Sequence, residues 1–209
     1  MSINHWILLG AAGLFLISFI IFLFEMRPSR WVKNPAPARG KIGRSIFYSF
    51  TGAMSPTKKE SAYLHLPTYA GGMIFHIGLF SSFAYFVILL FKVGLPGWVN
   101  LTFLIILVSG SVSGLLILIK RMSVGQMRRL SNPDDYFSNM LVTGFQIIIL
   151  LVIMGVNIEQ FLLLYCALLL IYIPVGKLRH SFYFFTTRIA LGIYYGQRGI
   201  WGRKPVKDD

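Results

Sequence analysis

Five apolar runs alternate with short or strongly basic polar segments along this chain. They cover about residues 6–24, 68–91, 98–119, 137–156 and 160–182. A helix needs about 20 apolar residues to cross the hydrocarbon core of a bilayer, and each run meets that length. The pattern predicts an all-α integral membrane bundle of five transmembrane helices, forming a single domain over 1–209. The first run is followed by Glu25, Arg27 and Arg30, with no small-residue cleavage site. It is therefore read as a retained helix and not as a removed signal. No internal repeat is visible, which gives an inverted-repeat transporter little support.

The polar segments differ in charge. Those at 26–67 and 120–136, together with the tail from Lys177, hold 19 of the 20 Lys and Arg residues. The short turn at 92–97 holds the other one, Lys92. Lys and Arg collect on the cytoplasmic side of membrane proteins. The N-terminus is therefore expected outside, and 26–67, 120–136 and 183–209 are expected as cytoplasmic basic segments. The stretch "RPSRWVKNPAPARGKIGRS" is rich in Pro, Gly and charge. It is expected to lack a core of its own and to lie on the membrane surface or against a partner.

Composition agrees with the pattern. Of the 209 residues, 56% are hydrophobic and 13% charged, and the mean hydropathy is +0.68. A soluble domain carries about a quarter charged residues. The formal net charge of +13 would suggest nucleic acid in a soluble protein, but membrane topology accounts for it here. The single cysteine, Cys166, lies in an apolar run. It excludes an intrachain disulfide, and it excludes an Fe–S cluster or a Cys-based zinc site built by this chain alone.

Candidate chemistry rests on the four histidines. His5 sits beside Trp6 at the outer end of the first run and reads as interfacial. His65, in "SAYLHLPTY", reads as a loop or cap residue. His76 lies about eight residues into the second run, about 12 Å from its cytoplasmic end. An ionisable side chain at that depth is a functional candidate. If the last helix continues to about Arg188, His180 is equally deep on a helix of opposite direction. Two histidines at one depth on two helices suit the two axial positions of a haem. They also suit ordinary packing residues bonded to backbone carbonyls, and spacing alone leaves both readings open. Gly71, Gly72 and Gly78 surround His76, and Gly72 shares its helix face. Glycine lets a flat macrocycle or another helix approach closely. Pro174 and Gly176 are expected to loosen the last helix before His180. Lys177, Arg179, Arg188, Arg128 and Arg129 are candidate partners for haem propionates at the cytoplasmic interface.

Three segments carry a family resemblance: "IFHIGLF", "SGSVSGLLILIKRMSVGQMRRLSNPDDYFSNML" with Arg128, Arg129 and Pro133, and "YIPVGKLRHSFYFFTTR". They resemble the membrane cytochrome b (gamma) subunit of respiratory nitrate reductases. They also resemble the related cytochrome b subunits of heterodisulfide reductase and dissimilatory sulfite-reduction complexes, to which "PDDYFSN" inclines the chain. The resemblance implies a five-helix topology with the N-terminus outside. The family commonly holds two b haems with two histidines on the second helix and two on the last. The partner of His76 is expected ten residues on, where Phe86 stands. The partner of His180 is expected eighteen residues earlier, where Leu162 stands. The outer pair is missing as a pair, and His5 and His65 lie on opposite membrane faces. The resemblance therefore implies one haem b, on the cytoplasmic side, ligated through its iron by His76 and His180.

The expected function is that of a membrane-anchored haem b electron-transfer subunit in the cell membrane of a prokaryote. It would exchange electrons between menaquinone, or a related quinone, and a cysteine-rich cytoplasmic Fe–S subunit of a larger oxidoreductase. His65, Tyr69 and Tyr183 are candidates for the quinone site. Two other readings stand beside it, a haem-free membrane anchor for a soluble reductase and a small transporter.

Overall fold

The computed structural model describes residues 2–26, 39–58 and 63–201. Among these residues every regular element is helical. In chain order they are α1 (Ile3–Glu25), α2 (Ile42–Phe50), α3 (Leu66–Leu90), α4 (Gly97–Ser123), α5 (Gly125–Leu130), α6 (Pro133–Ile153), α7 (Glu159–Val175) and α8 (His180–Gln197). Helices α1, α3, α4 and α6 are each long and apolar enough to cross a membrane. A fifth span is present if the broken pair Glu159–Val175 and Lys177–Gln197 counts as one. The chain packs as two compact units, 1–16 with 67–178 and 17–66 with 179–209.

In the first unit α3 and α4 run antiparallel in a tight register. Lys120 Nζ donates to Thr68 Oγ1 at 2.6 Å, and Ser113 Oγ donates to the Gly71 carbonyl at 2.7 Å. Tyr85 OH donates to Asn100 Oδ1 at 3.1 Å near the other end. Between them Gly78 faces Gly110. A Cβ built on Gly78 would stand 2.8 Å from the Gly110 Cα, so a side chain at either position would force the backbones apart. Small residues are the usual means of close helix approach in a membrane, where lipid supplies no hydrophobic drive between helices. Helix α6 packs against this pair. Its Phe145 is fully buried against the rings of Phe83 and Phe86, and Gln146 Nε2 donates to the Phe75 carbonyl at 3.3 Å. Tyr165 of α7 donates to the Leu141 carbonyl at 3.0 Å, over Gly144, where a Cβ would collide with its hydroxyl. The Ser113 and Tyr165 hydroxyls and the Gln146 amide N–H thus find backbone acceptors, as hydrocarbon surroundings require. The outer faces carry exposed Leu, Ile and Phe, and α1 buries only Leu8 and Ala11.

Polar contacts close one end of this unit. Asn132 caps α6 in a reciprocal box with Asp135, at 3.0 Å in each direction. The Asp135 carboxylate is 4% exposed and pairs with Arg121 at 3.0 Å and with Lys177. Tyr172 OH donates to Asp134. The ends of α4, α6 and α7 are therefore joined through two adjacent acids.

In the second unit α2 lies on α8 along a seam of small residues. Ser45 and Ser49, one helical turn apart, are fully buried. Ser45 Oγ donates to the Trp201 carbonyl and Ser49 Oγ to the Arg188 carbonyl, each at 2.8 Å. A Cβ on Gly192 would meet the Ile46 Cα at 2.5 Å, and one on Gly196 would meet Ser45 Oγ at 2.8 Å. Phe182 is buried, with ring contacts to Phe19 and Phe22 at 5.2 and 5.3 Å.

Two expectations are corrected. The last apolar run, expected as one helix over 160–182, ends at Val175. Gly176 caps it, Lys177–Arg179 form a 3-10 turn, and a new helix begins at His180. Pro174, in the last turn, brings no N–H to the helical ladder, and glycine follows two residues later, a pairing that favours termination. The basic segment after the first run does find a packing partner inside the chain, because 42–50 form α2 and rest on α8. Residues 27–38, the Pro-rich part of that segment, lie outside the described residues, as do 59–62 and 202–209.

Candidate functional site

His76 stands on α3 ten residues after Leu66, or about 15 Å along the helix. Its Nδ1 lies 2.7 Å from the Gly72 carbonyl oxygen, one turn earlier, and the side chain is exposed. A carbonyl only accepts, so Nδ1 is the protonated donor, and in the neutral ring Nε2 carries the open lone pair. A hydrogen bond of this kind is what fixes the tautomer and ring orientation of a metal-ligating histidine. Gly72 leaves the adjoining surface bare, since a Cβ built there would have nothing within 4 Å. Gly71 and Gly78 differ from it. Gly71 gives its carbonyl to Ser113, and Gly78 faces Gly110. Of the three glycines around His76, two are spent on packing and one leaves a face open beside the imidazole.

His180 is exposed and is the first residue of α8, in the second unit. Pairing it with His76 by depth required a helix continuous to about Arg188, and that helix is interrupted at Gly176. His180 therefore sits at a helix start, beside the aromatic cluster of Phe182, Phe19 and Phe22. His5 shares a 2.8 Å bond with Ser2 Oγ at the start of α1, which agrees with a local role. His65 is exposed just before α3.

The cationic candidates separate. Lys177 is bonded to Asp135. Arg188 holds its guanidinium 5.6 Å from the Phe184 ring centre. Arg179 is exposed and immediately precedes α8. Arg128 and Arg129 are exposed on α5, and Arg128 borders a surface depression. Tyr69 is partly buried on α3, and Tyr183 packs edge-on against Phe22 at 5.9 Å. In the first unit, His76 and Gly72 are in direct contact and Tyr69 lies one turn before them. In the second, His180, Arg179 and Tyr183 lie together at the start of α8.

Phe86 and Leu162 are both buried in one apolar cluster of the first unit, at 5% and 2% exposure. Cys166 is a free, buried thiol in the same cluster. Among the described residues no three His, Cys, Asp or Glu side chains converge as a protein-only metal site would need. A bis-histidine haem has no such requirement, because the porphyrin supplies the other four ligands.

Sequence reading missed the Asp135 cluster. Half of it was legible, since "NPDD" before an apolar run is a capping signature. It also missed two buried polar atoms without a partner among the described residues, Gln146 Oε1 and Ser111 Oγ. Comparison with protein-family models, with curated proteins and with solved structures found no match to this chain.

Proposed function

We propose that this chain is a membrane-anchored electron-transfer subunit that holds one b haem between His76 and His180. The observation that carries the reading is the imidazole of His76. Its exposed ring is held by Gly72 through Nδ1 on a helix long and apolar enough to span a membrane, its Nε2 has no bond among the described residues, and a Cβ on the adjacent Gly72 would meet nothing within 4 Å. A haem bound there would supply reversible one-electron chemistry within the membrane. His76 would ligate through Nε2, and its bond to Gly72 would raise ligand basicity and fix the ring plane. His180 is proposed as the second ligand. The packed Phe86 and Leu162 support one haem and not two, because core side chains fill the positions a second ligand pair would occupy.

By the positive-inside distribution, the N-terminus lies outside and the basic segments lie in the cytoplasm of a prokaryotic cell. There a cysteine-rich Fe–S subunit would dock and exchange electrons with the haem. Menaquinone or a related quinone would react near the same end, with His65, Tyr69 and Tyr183 as candidate contacts. Arg179 and Arg188 are the preferred propionate partners, because Lys177 is held by Asp135.

The test is a reduced-minus-oxidised spectrum of the purified chain, with haem quantified per polypeptide. A b-type spectrum at one haem per chain is expected. His76→Ala and His180→Ala should each abolish it, and His5→Ala should leave it intact. Absence of haem in the purified chain would favour the anchor reading. Haem retained after His180→Ala would refute the ligand pair.

A further inference from the structure

The segment between α4 and α6 carries a feature that the haem reading does not use. A shallow, open depression of about 660 Å³ is lined by Arg128, Ser131, Pro133, Tyr136, Phe137 and Met140. Four of these residues fall at 133, 136, 137 and 140, the i, i+3, i+4, i+7 spacing of one helical face. The wall is therefore a stripe that starts at the first residue of α6 and descends about 10 Å along a membrane-spanning helix. Its upper rim is polar and its lower part is Phe137 and Met140. An open apolar stripe with a cation at one end matches the chemistry of an amphiphile.

The charge at the mouth is uncompensated. Arg128 is exposed on α5, and among the described residues it makes no ion pair. The two acids beside the depression are committed elsewhere, Asp135 to Arg121 and Lys177, and Asp134 to Tyr172. The Ser131 hydroxyl donates to the Met127 carbonyl at 2.7 Å and accepts from Arg121 at 3.3 Å. The α6 N-terminus is closed by its own capping box. This leaves Arg128 and Tyr136, which line the same depression, as its uncommitted side-chain donors among the described residues. Leu130, the last residue of α5, is an apolar side chain left 87% exposed, as suits a segment that meets lipid.

We infer that this depression binds an anionic phospholipid, its phosphate on Arg128 and Tyr136 and one acyl chain along Phe137 and Met140. Guanidinium is the side chain best matched to a phosphodiester, with forked donors and a weakly held hydration shell. A haem plays no part in this site, and Arg128 leaves the set of propionate partners.

The experiment uses the full chain in phosphatidylcholine vesicles containing spin-labelled phosphatidylglycerol or spin-labelled phosphatidylcholine. The motionally restricted fraction reports lipid held at the protein surface. Wild type should prefer the anionic lipid about fivefold, the share of one well-placed basic residue. Arg128→Gln should abolish most of that preference, and Arg129→Gln, one residue outside the depression, should keep most of it. Helicity, read on the same samples, should be unchanged in both variants. Equal losses in the two variants would mean diffuse attraction to basic residues and would overturn the site. Displacement by inorganic phosphate alone would make it an anion site without a lipid, and displacement by a quinone analogue would make it a quinone site. Either result overturns the inference, as does a wild type with no preference. Loss of haem in Arg128→Gln with lipid preference intact would return Arg128 to the haem and refute this assignment.

Discussion

Gly78 and Gly72 lie six residues apart on one helix, and alanine at the two positions should have opposite effects. At Gly78 a new methyl would meet the Gly110 Cα at 2.8 Å and Gln146 Oε1 at 2.5 Å. Ordinary carbon–carbon contact is about 3.5–4.0 Å, so α3 and α4 would have to part by roughly 1 Å. The atom met is backbone, which cannot rotate out of the way, so the overpacking cost falls toward the upper end of about 1–3 kcal/mol. Alanine returns about 1 kcal/mol through its better helix propensity. Displacing Gln146 also weakens its bond to Phe75, worth about 0.6 kcal/mol in a membrane setting. The expected net loss for Gly78→Ala is about 2 kcal/mol, close to thirtyfold in the folding equilibrium. Gly72→Ala meets nothing within 4 Å and should be neutral, or more stable by up to about 1 kcal/mol. Equilibrium unfolding in mixed micelles, followed by circular dichroism, measures both. A Gly78→Ala protein as stable as wild type would refute the close approach of α3 and α4. Equal damage from Gly72→Ala would refute the open face. If a macrocycle lies over that face, Gly72→Leu should lower haem content without lowering stability, and this separates the seat of the cofactor from the fold.

Asp135→Asn should retain most of the capping geometry and lose the pairs to Arg121 and Lys177. Asp135→Ala should lose both and cost about 1 kcal/mol more, the usual share of a cap, in the same micelle assay. Gly192→Leu or Gly196→Leu should separate α2 from α8. Hydrogen exchange in 42–50 should then rise strongly, while α3 to α7 stay protected, because the α2–α8 seam lies wholly within the second unit. Gln146→Leu removes a buried amide whose Oε1 has no partner among the described residues, along with a single long bond to Phe75. Its stability should change by less than about 1 kcal/mol, within the range of volume-conserving swaps, and a loss above about 3 kcal/mol in the same assay would mean that a buried water or ligand completes the amide.

Among the described residues, hydropathy found each helix long and apolar enough to cross a membrane, because burial in lipid demands the same residue types wherever the backbone runs. It did not find the interruption at Gly176. A window average over 160–182 sums side chains and is blind to a backbone that stops donating, and only the local pair Pro174 and Gly176 marked the place. The α2–α8 seam was legible in principle. "SIFYS" and "GIYYG" each place two small residues four apart, the usual mark of close helix contact. Charge hid it, since a segment with eight Lys and Arg between 26 and 67 reads as a solvated loop. The ion pairs of Asp135 were not legible, because Arg121, Asp135 and Lys177 come from three helices whose ends meet only after folding.

His76 was found by depth, but its geometry separates it from the other polar groups of the spans. Ser82, Ser113 and Tyr165 each satisfy their hydroxyl on a backbone carbonyl, of Gly78, Gly71 and Leu141 respectively. Gln146 Oε1 and Ser111 Oγ lack partners among the described residues, but they sit on residues only 0% and 5% exposed. His76 combines an internal bond on Nδ1 with an exposed ring whose Nε2 has no bond among the described residues. In water such a nitrogen would be hydrated at no cost. Along a membrane-spanning helix, hydrocarbon offers it nothing, and a bare acceptor there costs several kcal/mol. The imidazole is therefore either covered in the assembled protein or held at a loss that a leucine would remove. Replacing His76 with Leu distinguishes the two. A stabilised chain with unchanged spectra would mean a tolerated packing residue, and a chain that loses its cofactor would mean that the open nitrogen was the ligand.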